Sequence, residues 1–485
     1  MKKVSSKPFI IVSIFSLLFI IAIAINLSPF LRGPLPYPPD WRWGYMPTPF
    51  SLKTLLPLPL VALMIFLFYG YEKKSWPKNT ALMLTTLIIV GFLLQIALLA
   101  SSRSGLSVII HRTINPFISG YFTVSLHSQP IPVFLQSFTS NLYKYSLYPK
   151  FHPPGAVLLF TFIDWIATFG HVLFPLVAKM TPHHTDVALI WKGLSDSQRL
   201  SAIISGFIIA LLSYITIIPL YFSAKVLYGE KTATRSAFLF LFVPNVLLFT
   251  PLNDIFLPLF TVWSLYYVLK GIYTDKLIYY FLSGLILFIG LTFSLTYLPL
   301  ILLFALLYFF KQIKKISYHH LPFKEAGSFA IGLLIPPFVL FLFYHLNYIT
   351  MSQQIMQFHE GAQNTRNYWV WIFGNLYDFF LFTGIAVSSL FFFMLYALYK
   401  KTYSTRKSEN SLFISFSLML LLLDVSGSVR AETGRIWLPF VPLVILSVAN
   451  IVTENFKLSS KQFMIFLLLQ ALQVIIFQQF LITVW

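Results

Sequence analysis

The sequence predicts an all-α polytopic membrane protein of about thirteen transmembrane helices, with further helices lying along the membrane surface. Charged residues make up 10% of the 485 and hydrophobic residues 58%, whereas soluble domains carry about 25% charged residues. Apolar runs close to the roughly 20 residues of a crossing recur along the chain. Lysines gather in alternate connections between those runs, as the positive-inside rule requires. The net charge of +19 is therefore a signal of orientation, and no nucleic-acid partner is expected. With no cysteine, disulfides and thiol chemistry are excluded.

The first run, 8–27, follows "MKKVSSK" and is longer than the roughly 7–15 residues of a signal-peptide core. It reads as an uncleaved span with a cytoplasmic N-terminus. Further spans are expected near 54–71, 80–101, 200–223, 236–251, 254–270, 277–292, 293–311, 328–348, 376–399, 411–424, 436–453 and 463–485. The apolar run 153–178 is not counted. As a crossing it would turn "KVLYGEKTATR", "KQIKKISYHHLPFK" and "KKTYSTRK" outward, against the charge rule. It opens at "YPKFHPPGAVLLF", where Pro153 and Pro154 suit the first turn of a helix, with His152 just outside. Asp164 and His171, seven apart, would share one face of a helix lying at the outer interface. The expectation is a single transmembrane domain, 1–485, in the plasma membrane with an external C-terminus. Three long external segments, 28–53, 102–199 and 349–375, are rich in Tyr, Trp, Pro and His and would form the active-site face.

Arginine and lysine divide between the two sides. Arg32, Arg42, Arg103, Arg112, Arg199, Arg366, Arg430 and Arg435 fall outside, and only Arg235 and Arg406 fall on the lysine-rich side. Arginines beyond what orientation needs fit recognition of phosphate or carboxylate, or else a scatter of solvated side chains. Of the fifteen acids, Asp40, Asp164, Asp186, Asp196, Asp254, Glu360, Asp378, Asp424 and Glu432 lie outside or at outer helix ends. An acid near a bilayer is costly and marks a functional candidate. Asp40 in "YPPDWRWGY" is placed to act as a general base, or to pair with Arg42 in an interfacial turn. In "DVSGSVRAETGRIWLPFVPL", Arg430 and Arg435 steadied by Glu432 would clamp a phosphate, or would be a charged hairpin. "FHEGAQNTRNYWVW" offers His359, Glu360, Arg366, Tyr368 and Trp369 as a sugar–phosphate surface. Asp254 in "PLND" is a site residue or a helix cap. "HHTD", with His183, His184 and Asp186, matches no metal-ligand spacing and reads as loop histidines. No P-loop, dinucleotide fingerprint or nucleophile elbow occurs.

The "HPPG" at 152–155, the amphipathic helix after it and the crossing that ends "AKVLYGEKTATR" resemble the integral-membrane C-type glycosyltransferases. The likeness is to the protein O-mannosyltransferase and aminoarabinose-transferase branch and covers roughly residues 80–450. "LTFSLTYLPLILLF" looks like that family's short outer hairpin, and "GRIWLPFVPLVIL" like its arginine-led late helix. The resemblance implies a polyprenyl-phosphate-linked sugar donor and catalysis on the extracytoplasmic face with inversion at the sugar C1. The acceptor would be a lipid, glycan or protein, its hydroxyl deprotonated by an acid of the first external loop. His152 falls on the HPP position and Arg435 on the late arginine near the donor phosphate, with Arg42, Arg366, Tyr368 and Arg430 as further donor contacts. The chain departs from the family in one respect. The segment "SSRSGLSVIIHRTINPFISGYFTVS" holds no acid where the family places one. The general-base assignment therefore moves to Asp40, with Asp254 and Glu432 behind it. No cofactor is expected, and a divalent metal is compatible but not indicated.

Two other classes stay open. A lipid-linked glycan flippase or secondary transporter should carry ionisable groups near the membrane midplane and repeated halves, whereas these acids collect at outer helix ends. A noncatalytic relative would keep the fold without the chemistry.

Overall fold

The computed structural model describes residues 7–33, 43–73, 79–180, 182, 185–312, 323–400 and 410–483. Among them the chain is almost entirely helical, and its one sheet is two residues wide. Seven helical stretches are long and apolar enough to cross a membrane: Leu52–Glu72, Thr80–Ser101, Asp196–Tyr228, Asn253–Thr274, Phe323–Tyr344, Leu438–Asn455 and Ser460–Phe480. Shorter apolar helices accompany them at Pro8–Ala24, Leu277–Leu291, Leu295–Phe310, Ile385–Tyr399 and Ser411–Val425. This is a multi-pass membrane protein. Val441–Asn450, buried throughout, forms its central post, packed by Glu230–Phe240 and Ile385–Tyr399.

Helix boundaries follow local chemistry. Ser195 and Gln198 close a capping box at the start of Asp196–Ile215, each side chain bonding the other's backbone N–H. The run expected at 236–251 is instead Glu230–Phe240 followed by Pro244–Leu248, because Pro244 has no N–H to continue a helix and starts a new one. The span expected at 376–399 is broken at Gly384, whose φ of +119° favours glycine. The backbone groups freed there meet glutamines of Ser460–Phe480. Ile385 N–H donates to Gln473 Oε1 at 2.7 Å, and Gln473 Nε2 donates to Leu381 O at 2.8 Å. Buried away from water, such groups must find protein partners.

The run 153–178 is not one helix. Gly155–Ala167 ends before Gly170, and the next segment, His171–Ala178, turns away by 80°. Asp164 and His171 therefore do not share a helical face, which corrects the expectation from their spacing. The stretch 349–375, expected as a loop segment, falls in two helices, Tyr348–Gln363 and Tyr368–Thr383, each begun by an asparagine cap, the second buried along its latter half.

The two ends of the bundle are chemically different. At one, Glu72 meets the fully buried Arg235 at 2.7 Å, and Lys225, Lys231 and Glu230 line a cavity of about 820 Å³. At the other, Gly44–Tyr45 pairs antiparallel with Leu481–Ile482, Gly44 opposite Ile482. That pairing brings the first long connection beside the end of the last helix.

Candidate functional site

The site is built on the turn that follows Ser411–Val425. Ala431 and Glu432 both adopt positive φ, +75° and +57°, before the short helix Thr433–Ile436. Two successive non-glycine residues in this region are strained and persist only where surroundings dictate them. Here Asn375 dictates them. Its Oδ1 accepts from Ala431 N–H at 3.0 Å, its Nδ2 donates to Val429 O at 2.8 Å and to Asp424 Oδ1 at 3.2 Å, and its carbonyl accepts from Thr433 Oγ1 at 2.6 Å. Gly434 N–H then donates to Asp378 Oδ2 at 2.7 Å, and Gly434 O accepts from Asn245 Nδ2 at 3.1 Å.

What this turn presents is Arg435. Its side chain is 7% exposed and bonds Glu432, with Asp254 at 3.7 Å and the Tyr148 ring 4.7 Å beneath the guanidinium. Burial alone would lower its pKa, but Tyr148, Glu432, Asp254 and Tyr121 raise it above the ordinary value, so the cation is held charged. Asp254 sits in the first turn of the 3-10 helix Asn253–Phe256, whose N-cap is Leu252 with no side-chain cap. The side chain of Asp254 faces Arg435 and also accepts from its own backbone N–H.

The remaining arginines surround that pair. Glu432 lies 3.8 Å from Arg366, so it is shared by Arg435 and Arg366 rather than by Arg430 and Arg435. Arg430 turns back instead. Its Nη1 donates to Arg366 O at 2.7 Å and Gln363 O at 3.1 Å, and its guanidinium lies over Tyr368 at 5.5 Å. Tyr368 in turn donates to Val425 O at 2.7 Å. Arg366 donates to Arg430 O. Arg430 thus staples the turn to the end of Tyr348–Gln363, and Tyr368 ties the end of Ser411–Val425 to the start of Tyr368–Thr383.

His152 borders the site beside Tyr148. A 3-10 turn, Pro149–Phe151, brings its Nδ1 within 3.0 Å of Tyr148 O, and its ring meets Tyr121 edge-on at 5.8 Å and His359 at 6.3 Å. His359 Nε2 sits 3.0 Å from Phe151 O. Burial lowers both imidazoles from 6.5 to about 4, with smaller contributions from Arg435 at His152 and from His152 and Arg366 at His359. Both rings are therefore neutral at pH 7. The helix after the prolines starts at Gly155, whose N–H donates to Thr292 O at 2.7 Å. A Cβ there would lie 2.5 Å from that oxygen, so only glycine fits. The same hairpin is tied to the Asp254 turn by Tyr297, whose hydroxyl donates to Leu257 O.

Glu432, Asp254, His152, Arg366, Tyr368, Arg430 and Arg435 are therefore gathered at one end of the bundle. Asp40 and Arg42 lie outside the described residues, as do His183 and His184. Asp186 binds His111 at 2.9 Å and Asn115 at 2.8 Å. Among the described residues no three side chains of metal-ligand type come together. Glu360 and Trp369 are exposed. Sequence reasoning missed Tyr148, which opens the same "YPKFHPPG" stretch, and counted Asp378 among the acids without placing it. Nothing in the sequence marks Asn245 or Asn375, because their partners lie 189 and 56 residues away.

Residues 196–345, which include the Asp254 turn and the Thr292 hairpin, match the family model described as dolichyl-phosphate-mannose-protein mannosyltransferase. No curated protein matches the chain. Among solved structures, the chain is similar to the oligosaccharyltransferase of Archaeoglobus fulgidus, crystallised with Zn and sulfate. That similarity has 14% identity and a TM-score of 0.36, over 77% of this chain and 52% of that one. The chain thus spans about half the length of that enzyme. By that match, residues 196–345 are similar to the membrane mannosyltransferases that the family model describes.

Proposed function

We propose that the protein is a membrane glycosyltransferase that moves a sugar from a polyprenyl-phosphate-linked donor to a hydroxyl of a lipid, glycan or protein acceptor. The observation that carries this reading is Arg435, a buried cation held charged between Glu432, Asp254 and Tyr148 inside a chain that matches a lipid-phosphate-mannose transferase family. In the proposed reaction the acceptor oxygen attacks the sugar C1 and the bond from C1 to the phosphate oxygen breaks, inverting that carbon. The acceptor proton passes to a carboxylate. The negative charge left on the polyprenyl phosphate is stabilised by Arg435, with Arg366 one glutamate further out. Neutral His152 and His359 wall the site without competing for the phosphate.

Asp40 is the first candidate for the base. Support comes from Trp43, three residues later in the sequence, whose indole is anchored inside the site. Asp254 comes next, because at 3.7 Å it is not hydrogen-bonded to Arg435, whereas Glu432 bonds Arg435 directly. Lysines 73, 225, 231 and 457 lie at the far end of the bundle, which supports a cytoplasmic assignment for that end and an extracytoplasmic one for the site. A plasma-membrane location belongs to the same proposal.

The test is sugar transfer by purified protein from a synthetic panel of polyprenyl-phosphate sugars, wild type beside Asp40→Asn and Asp254→Asn. Turnover abolished in one variant identifies the base. Turnover surviving in both moves that role to another group. A folded wild type inactive with every donor refutes the transferase reading and favours a flippase or transporter.

A further inference from the structure

We infer that Asp378 is a positioning residue that fixes the first long connection against the arginine turn, an inference that rests on the transferase reading above. Asp378 is 3% exposed in the last two turns of Tyr368–Thr383. Its two oxygens are divided between two distant parts of the chain. Oδ1 accepts from Trp43 Nε1 at 2.9 Å, 335 residues away. Oδ2 accepts from Gly434 N–H at 2.7 Å, and Gly434 immediately precedes Arg435.

Each side of this bridge is itself held firmly. The Trp43 indole, 3% exposed, packs in one cluster with the rings of Phe249 at 5.4 Å and Phe382 at 4.5 Å, which touch each other at 5.2 Å. Trp43 N–H donates to Arg32 O at 3.1 Å, and Arg32 donates back to Trp43 O. Across the bridge, a Cβ on Gly434 would stand 3.0 Å from Phe382 and 3.2 Å from Asp378 Oδ2, so the turn is seated directly on the carboxylate. The Trp43 and Gly434 partners of Asp378 are both N–H donors, with the Thr433 hydroxyl as a further contact, so the two positions that meet them must be acceptor oxygens. A carboxylate provides two, while an amide provides one and sets an NH₂ against the other donor. Size alone therefore does not explain the residue. The acid is the one group of this volume that can hold Trp43 and Gly434 at the same time.

Asp378 does not face the bound donor in this account and acts through the two segments it joins. Trp43 carries the connection that contains Asp40 and Arg42, and Gly434 carries Arg435. A displacement of about 1 Å between reacting groups can cost about 100-fold in rate. The carboxylate sets the register between the part proposed to activate the acceptor and the part proposed to receive the leaving phosphate.

The experiment uses the full-length purified protein with Asp378→Asn, Trp43→Phe and the double variant. It measures kcat and donor KM, binding of polyprenyl phosphate, and backbone hydrogen exchange. Trp43→Phe, which leaves the Gly434 bond intact, should lower kcat about 10- to 100-fold while donor KM and polyprenyl-phosphate binding stay within about threefold. Asp378→Asn should lower kcat as much and also weaken polyprenyl-phosphate binding. The double variant should match Asp378→Asn, since both act on one bridge. Wild-type kcat in Trp43→Phe, or losses that multiply in the double, would overturn the proposal. If Asp378→Asn does not fold, the kcat-against-KM split in Trp43→Phe decides alone. A wild type with neither turnover nor polyprenyl-phosphate binding removes the transferase reading, and hydrogen exchange then decides the bridge. Loss of protection in 43–48 and 429–436 together supports it, and unchanged protection in either segment refutes it.

Discussion

Arg235 and Arg435 lie buried at opposite ends of the same helical bundle, each bonded to a glutamate and each over an aromatic ring. Their surroundings differ. Arg235 sits within a regular helix, its second partner is the Leu458 carbonyl at 2.8 Å, and Glu72 completes the pair from a neighbouring span. Arg435 sits on a strained turn with two carboxylates, two tyrosines and a second arginine close by. A buried ion pair within regular helices locks helices together. A buried cation on a turn held from outside by asparagines and an aspartate is a preorganised charge, which suits the leaving phosphate of the proposed reaction. Burial and pairing alone do not mark a site. The backbone that carries the charge does.

The two arginines should respond to substitution in opposite ways. Arg435→Lys keeps the charge but loses the planar, multiply donating head. Sugar transfer should fall about 100-fold or more while the thermal midpoint of the detergent-solubilised protein barely moves. Arg235→Met should do the reverse, leaving buried Glu72 with only the exposed Lys231 at 3.8 Å, at a cost of up to about 3–5 kcal/mol, read as a large drop in that midpoint with kcat retained in the folded fraction. Adding Glu72→Leu should recover most of the loss. A lost activity without lost stability at Arg235 would refute the division between the ends.

Two smaller effects sharpen the picture of the site's wall. Gly155→Ala forces a methyl against the Thr292 carbonyl. It should cost about 1–3 kcal/mol and lower transfer, measured by thermal midpoint and turnover together. The histidines supply a pH signature. Their folded pKa values of about 4 lie below the ordinary 6.5, so the unfolded chain binds more protons between those values. Stability is therefore complete above about pH 6.5 and declines as pH falls toward 4. Melting profiles at pH 7.5 and 4.5 should show the decline, and His359→Gln should make it shallower.

Much of the bundle was legible in the sequence because apolar runs report burial in lipid directly. The breaks were less so. Gly384 reads as an ordinary glycine until the freed Ile385 N–H is seen to meet Gln473, 88 residues beyond Ile385. The bend after Ala167 was hidden by continuous apolarity across a glycine. At the site, Arg435, Glu432, Asp254 and His152 were identified from short motifs, and the structure gathers them. Which acid partners which arginine was not legible, since Glu432 turns toward Arg366 only because Asn375 fixes the turn beneath it. Asp378 stood in the acid inventory, but its meaning depends on Trp43, far away along the chain.

That separation also sets a timetable. The indole of Trp43 has to wait for Asp378, 335 residues later. At a synthesis rate of about 5–20 residues per second, the delay is roughly 15–70 s. For that interval the first connection has been made but lacks its anchor, and the helices between are already being laid into the membrane. A chain halted short of residue 378 would hold most of its lysine-rich loops and many of its spans but no Arg435 end. Insertion and competence are thus separate events in the life of this protein, and the second comes late.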